Sequence, residues 1–213
     1  MIKRFAPLVC VLLVFVDDCS LTAAQQAPLN LRPTRDVVVD IATTRQTAER
    51  TERITGRVAW LVAEDLMRIE NPGVPGWTLL DRKRGEGAMI MDERRAFMPL
   101  PRGIVELMLR EIPANAPFTR QGTAVVAGHA CVRWLVALPH GDSTVCLTND
   151  GVMLRWTPVR HEADMPGLWL SKVEATAVSY RSQDPARFRV PAGYVAMNIP
   201  IPGTPDAGLQ PTR

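Results

Sequence analysis

Two cysteines, three histidines and a loose group of methionines are the residues of this chain whose types and spacing bear first on chemistry. Cys131 and Cys146 fall on predicted strands on either side of a turn at Pro139 to Asp142, and counting outward from that turn brings them near to opposite each other. A disulfide there closes a loop worth about 3 kcal/mol in the chain-entropy model. A redox couple favours the close Cys-x-x-Cys spacing at a helix start instead. His129, His140 and His161 have no ligand spacing, and His161-Glu162 with Asp164 reads as a solvated loop. Met89, Met91 and Met98, with Met67 and Met108 nearby, are soft donors of the type that hold copper(I). No His or Cys accompanies them, so they read as flexible core filler. Ser143 and Ser171 have no nucleophile elbow or oxyanion glycines around them. No catalytic residue, metal or cofactor is expected, and the protein reads as a non-enzyme.

Trp60, Trp77, Trp134, Trp156 and Trp169 are spread over five predicted strands, where they either line an apolar cavity or fill a core. The surface charge is mixed: 25 basic and 22 acidic residues, formal net charge +3. No basic run is interleaved with aromatics, so nucleic acid is not expected as a partner.

The N-terminus reads as an address. Lys3 and Arg4 precede an apolar run of 12 residues, Phe5 to Val16, and Leu21-Thr-Ala-Ala24 follows. That is the layout of a secretory signal peptide, residues 1–24, cut after Ala24. The run is well short of the roughly 20 residues that a membrane-spanning helix needs. Cys10 and Cys19 leave with the signal, and neither sits in a lipid-attachment pattern, so no stable membrane anchor is expected after cleavage. The mature chain of 189 residues then keeps Cys131 and Cys146 in the periplasm or outside the cell, where disulfides persist.

Strands are predicted over Asp36 to Ala42, Ile54 to Val62, Leu66 to Glu70, Trp77 to Asp81, Ala88 to Met91 and Arg95 to Leu100. Thr43 to Thr51 reads as a loose loop. A helix over Val58 to Ile69 is the alternative to the hairpin there, since the apolar positions also fit a helical stripe. The clearest helix runs from Arg102 to Ile112, between Pro101 and Pro113, with Ile104, Leu107, Met108 and Ile112 on one stripe. Further strands follow at Gly122 to Ala127, Cys131 to Leu138, Ser143 to Thr148, Val152 to Thr157 and Leu168 to Tyr180. Asn149-Asp-Gly151 supplies a tight turn between two of them. Residues 183–194 read as an ordered closing segment plugged by Phe188 and Tyr194. Four prolines and two glycines make 197–213 a disordered tail. The fold class is mainly β (α+β): a curved antiparallel sheet or unclosed barrel with one or two helices against it, in a single domain over 25–196.

This order of elements resembles the LolA/LolB-like periplasmic carriers. The segments Thr34-Arg-Asp-Val-Val-Val, Ala130-Cys-Val-Arg-Trp, Cys146-Leu-Thr-Asn-Asp-Gly-Val-Met-Leu-Arg155 and Gln183-Asp-Pro-Ala-Arg-Phe-Arg-Val-Pro-Ala-Gly-Tyr194 look like those of a bacterial secreted family related to that superfamily. The resemblance implies an unclosed barrel capped by helices around an apolar cavity for acyl chains. It places Trp60, Trp77, Met89, Met91, Trp134 and Trp156 as candidate cavity-lining residues. The chain lacks the carriers' clear helix before the first strand, and it carries one good cap helix. The implied partner is a lipid or lipoprotein acyl chain, bound by burial without chemistry. The alternative is a cell-envelope protein-interaction module with a filled core.

Overall fold

The computed structural model describes residues 27–46, 50–109, 111–139, 141–159 and 171–197. The expected signal peptide and tail, with His140, His161, Glu162, Asp164 and Trp169, lie outside the described residues.

Short amphipathic runs separated by tight turns fold up and down into strands. The first half gives β1 (Val37–Gln46), β2 (Thr51–Leu61), β3 (Leu66–Glu70), β4 (Trp77–Asp81), β5 (Glu86–Met91) and β6 (Ala96–Pro99). A helix, α1 (Arg102–Leu109), separates them from β7 (Phe118–Val126), β8 (His129–Leu138), β9 (Gly141–Leu147), β10 (Met153–Pro158) and β11 (Lys172–Ser179). A two-residue β12 (Val195–Ala196) ends the described chain. All lie in one sheet of order β12-β6-β5-β4-β3-β2-β1-β11-β10-β9-β8-β7. Two antiparallel meanders are thus joined along a β1–β11 seam, and among the described residues only β12 runs parallel to its neighbour, β6. The mainly antiparallel, curved, unclosed sheet with one helix is the expected class.

The hairpin reading over residues 58–69 holds, and the helical alternative does not. A single 3-10 turn, Val62–Glu64, is followed by Asp65 in the left-handed region at φ 58°, which reverses the chain into β3. The same device, Asp92–Arg94 followed by Arg95 at φ 47°, joins β5 to β6. Left-handed non-glycine residues are uncommon, which makes the repeat notable.

Three boundaries differ from expectation. Residues 43–46 and 51, expected as loop, are strand, because β1 and β2 stay in register out to Gln46 and Thr51. The polar side chains there pair across the ladder, as Arg45 does with Glu52 at 2.6 Å. The described helix spans Arg102–Leu109 and does not include Glu111 or Ile112. β7 starts earlier, at Phe118, and absorbs Gly122 at a register shift with φ +102°.

Apolar clusters occupy both faces of the sheet. On the face away from α1, Val38, Ala59, Leu61 and Leu66 surround Phe188, which is fully buried as a plug. Tyr194, the other expected plug, is only half-buried and donates through its hydroxyl to Asp92 Oδ1 at 2.9 Å. Asp36 ties this closing segment down. Its two carboxylate oxygens accept the backbone N–H groups of Val62 and Gln183, each at 2.9 Å.

The disulfide is present, with Cα atoms 5.4 Å apart, among Val37, Val39, Val126, Val152 and Leu154. The lead, residues 27–35, docks on the turn after β9. Thr34 N–H donates to Asp150 O at 3.0 Å, and Arg35 Nε to Asp150 Oδ2 at 2.9 Å. Gly151 permits this approach: its φ is +82°, and a Cβ there would fall 2.0 Å from Arg32 O.

Candidate ligand cleft

Alternation along the strands sends one side chain in two towards α1. Trp60, Met67, Leu80 and Gly87 lie in register across β2 to β5, and Val105 of α1 packs on Met67 and Leu80. The helix comes this close because Gly87 has no side chain; a Cβ there would meet Leu80 Cδ2 at 2.7 Å and Val105 Cγ2 at 3.0 Å. The neighbouring row, Val58, Ile69, Thr78, Met89 and Met98, is also in register.

Eight residues of helix cover only part of this inner face. What stays open is a cleft of about 250 Å³. Its walls are Ile41, Val58, Trp60 and Ile69 on one side and Leu147, Met153 and Val173 on the other, roofed by Met108, Ile112 and Leu31. The seam between the two meanders runs through its floor, since Val39, Ile41 and Thr43 of β1 and Val173 of β11 all line it.

Charged groups meet at one place in this lining, which also holds Thr43 and Asn71. Arg82 is 5% exposed at its side chain and lies with its guanidinium carbon 4.9 Å from the centre of the Trp60 ring. Its Nη2 donates to Glu111 Oε1 at 3.0 Å, and Nε approaches Asp65 Oδ1 at 3.7 Å. Arg32, from the lead, donates to the same two carboxylates, at 2.9 Å to Glu111 and 3.3 Å to Asp65. Burial lowers the pKa of Arg82, and the charge of Arg32 lowers it further, against the two carboxylates. The four charges cancel, which is what a partly dehydrated site requires. Among the described residues, no group of three or more His, Cys, Asp or Glu could hold a metal.

Of the six candidate cavity residues, the structure places Trp60 in the cleft lining. Trp134 and Trp156 pack with Phe118, Val136, Val145 and Leu147 in a filled cluster beside it, Phe118 meeting Trp134 edge to face at 6.1 Å. Met89 shares a register row with Val58 and Ile69 but stands two strands beyond β3, and Met91 lies further along β5. Trp77 is on the opposite face, beside Ile90, with the Arg68 guanidinium stacked 3.8 Å from its ring centre. Sequence reasoning missed Val58, Met67 and Ile69, although their even spacing was readable. It also missed Arg82, which stands in a basic turn and has its partners 17, 29 and 50 residues away.

The structure defines a fold class: an unclosed, curved antiparallel sheet with a helix laid on its inner face and an apolar cleft between them. Among solved structures, a chain of the Pseudomonas aeruginosa MucA/MucB complex superposes with a TM-score of 0.52 at 13% identity, over 74% of this chain and 56% of that one. An uncharacterized conserved protein from Thermus thermophilus gives 0.51 at 13% identity, over 76% and 90%. The LolA superfamily protein NE2245 from Nitrosomonas europaea is also a neighbour, at 0.39 and 8% identity, over 75% and 92%. This chain thus spans little more than half of its MucA/MucB match, and at such identities the likeness speaks for fold. No protein-family model and no curated protein matches the sequence.

Proposed function

We propose that this is a non-enzymatic periplasmic binding protein, exported by residues 1–24, that captures a lipid acyl chain or similar apolar ligand in the cleft beside Trp60. The observation that carries the reading is an unfilled apolar cleft in a domain whose other clusters are packed. Each methylene that a ligand buries there contributes about 0.8 kcal/mol, offset by the cost of immobilisation. The buried disulfide fits an extracytoplasmic location. Among the described residues no helix is long and apolar enough to cross a membrane.

A second reading, an envelope protein-interaction module, draws support from the fold shared with a chain of the MucA/MucB complex. Native mass spectrometry of protein purified from a periplasm without detergent separates the two. An extra mass removed by organic extraction, identified as lipid and reduced in Trp60→Ala, is the expected result. A bare polypeptide that retains a protein partner in pull-down overturns the carrier reading.

A further inference from the structure

Met89, Met91 and Met98 read as core filler in the sequence, and the structure does not use them so. All three are half-buried, and none belongs to the apolar clusters of the described residues. The strand register brings them together instead. Met89 of β5 stands directly opposite Met98 of β6, and Met91 stands opposite Ala96. Residues that face each other across a ladder project to the same side, as do residues two apart along a strand. Met89, Met91, Met98 and Ala96 are therefore the corners of one square on the inner face. Their Cβ atoms are about 5 Å apart across the ladder and about 7 Å apart along it. The side chains between them, Ile90 and Phe97, face each other on the opposite side, where Ile90 is fully buried. An alanine at the fourth corner leaves the middle of the square to three thioether arms.

We propose that Met89, Met91 and Met98 form a binding site for copper(I), a soft monovalent cation, through their three thioether sulfurs. The site stands apart from the cleft and does not depend on the reading given to it. Thioethers are polarisable, uncharged donors that favour copper(I) over hard and borderline ions. Each methionine arm has three rotatable bonds, so the sulfurs can converge on one ion without moving the strands. None of them has a proton to lose on binding, so the affinity does not depend on pH in the range where imidazole, carboxylate and thiol ligands do. Cys131 and Cys146 are joined in the disulfide, so neither supplies a competing thiolate. Among the described residues no cluster of His, Cys, Asp or Glu offers a divalent ion a comparable site.

The test is calorimetric titration of the full mature protein with silver(I) nitrate in chloride-free buffer, silver(I) being a redox-silent stand-in for copper(I). Spectra of protein labelled at its methionine methyl groups accompany it. Wild type is expected to take up one equivalent, shifting the methyl signals of Met89, Met91 and Met98 and leaving those of Met67 and Met153 in place. Met98→Leu is expected to weaken binding at least about tenfold, since even a residue that only supports a metal ligand costs that much when removed. Leucine nearly conserves the volume, so the fold is expected to stand. Replacing all three methionines by leucine is expected to abolish binding, while Met67→Leu retains it. The affinity is expected to be the same at pH 5 and pH 7. No uptake by wild type, uptake that survives the triple substitution, or affinity that falls at pH 5 overturns the site. The methyl shifts decide on wild type alone, even if a variant does not fold.

Discussion

Replacing both Cys131 and Cys146 by alanine removes a cross-link that joins strands β8 and β9 across 15 residues of chain. A loop of that length restricts the unfolded ensemble by about 3 kcal/mol. Both cysteines are almost fully buried against Val37, Val39 and Leu154, so the folded state also loses two sulfur atoms from a packed cluster. The smaller alanines leave room there, which adds to the loss. The expected destabilisation is therefore about 3–4 kcal/mol, or roughly 6–16 °C in Tm for a chain of this size. Urea unfolding of oxidised wild type, reduced wild type and the double variant measures it, with the slope of the transition as a check on the denatured state. Chain entropy as the main cause requires reduced wild type and the double variant to fall together. A loss under about 1 kcal/mol with an unchanged slope refutes the entropic account.

Four further outcomes follow from the packing and electrostatics. Trp134→Ala should cost about 3–5 kcal/mol of stability, because Trp134 sits in a filled cluster, whereas Trp60→Ala should reduce ligand binding more than stability; parallel unfolding and binding titrations compare them. Gly87→Ala should destabilise by about 1–3 kcal/mol through overpacking against Leu80 and Val105, read as a lower urea midpoint. Ile69→Phe should fill part of the cleft, raising Tm slightly and abolishing ligand binding; a drop in Tm shows that the space is not there. At Asp150, burial acts to raise the pKa, but hydrogen bonds from Thr148, Arg35 and Tyr180 outweigh it and hold the carboxyl below its ordinary value. The unfolded state then binds the proton more readily, so this contribution is present above about pH 4 and is lost as the pH falls through the folded value. Asp150→Asn should lower the urea midpoint at pH 7 and have a smaller effect at pH 3.

Most of the strands were legible, because a half-buried strand must alternate and its turns need particular residues. Val37, Val39 and Ile41 announce one face of β1, and Asn149-Asp-Gly151 announces a turn. What was not legible is where the strands meet over distance. Nothing in Lys172–Ser179 says that it pairs with β1 and joins the two meanders, since the ladder is made by backbone groups common to every residue. The polar ends of β1 and β2 read as loop for the same reason: their strand character comes from pairing with each other. Tryptophan was a poor guide to the site. Its size announces burial, but Trp134, Trp156 and Trp77 are buried within packed clusters or on the far face, and Trp60 alone of the four lines open space.

The position of the cleft follows from two small features of the sequence. Gly87 lets α1 close onto the Met67–Leu80 row, and the described helix has only eight residues. Phe118, Trp134 and Trp156 fill the inner face on the β7–β10 side, so the opening is restricted to the seam between the meanders. Arg82 and Arg32 line it at one place, with charges that cancel against Asp65 and Glu111.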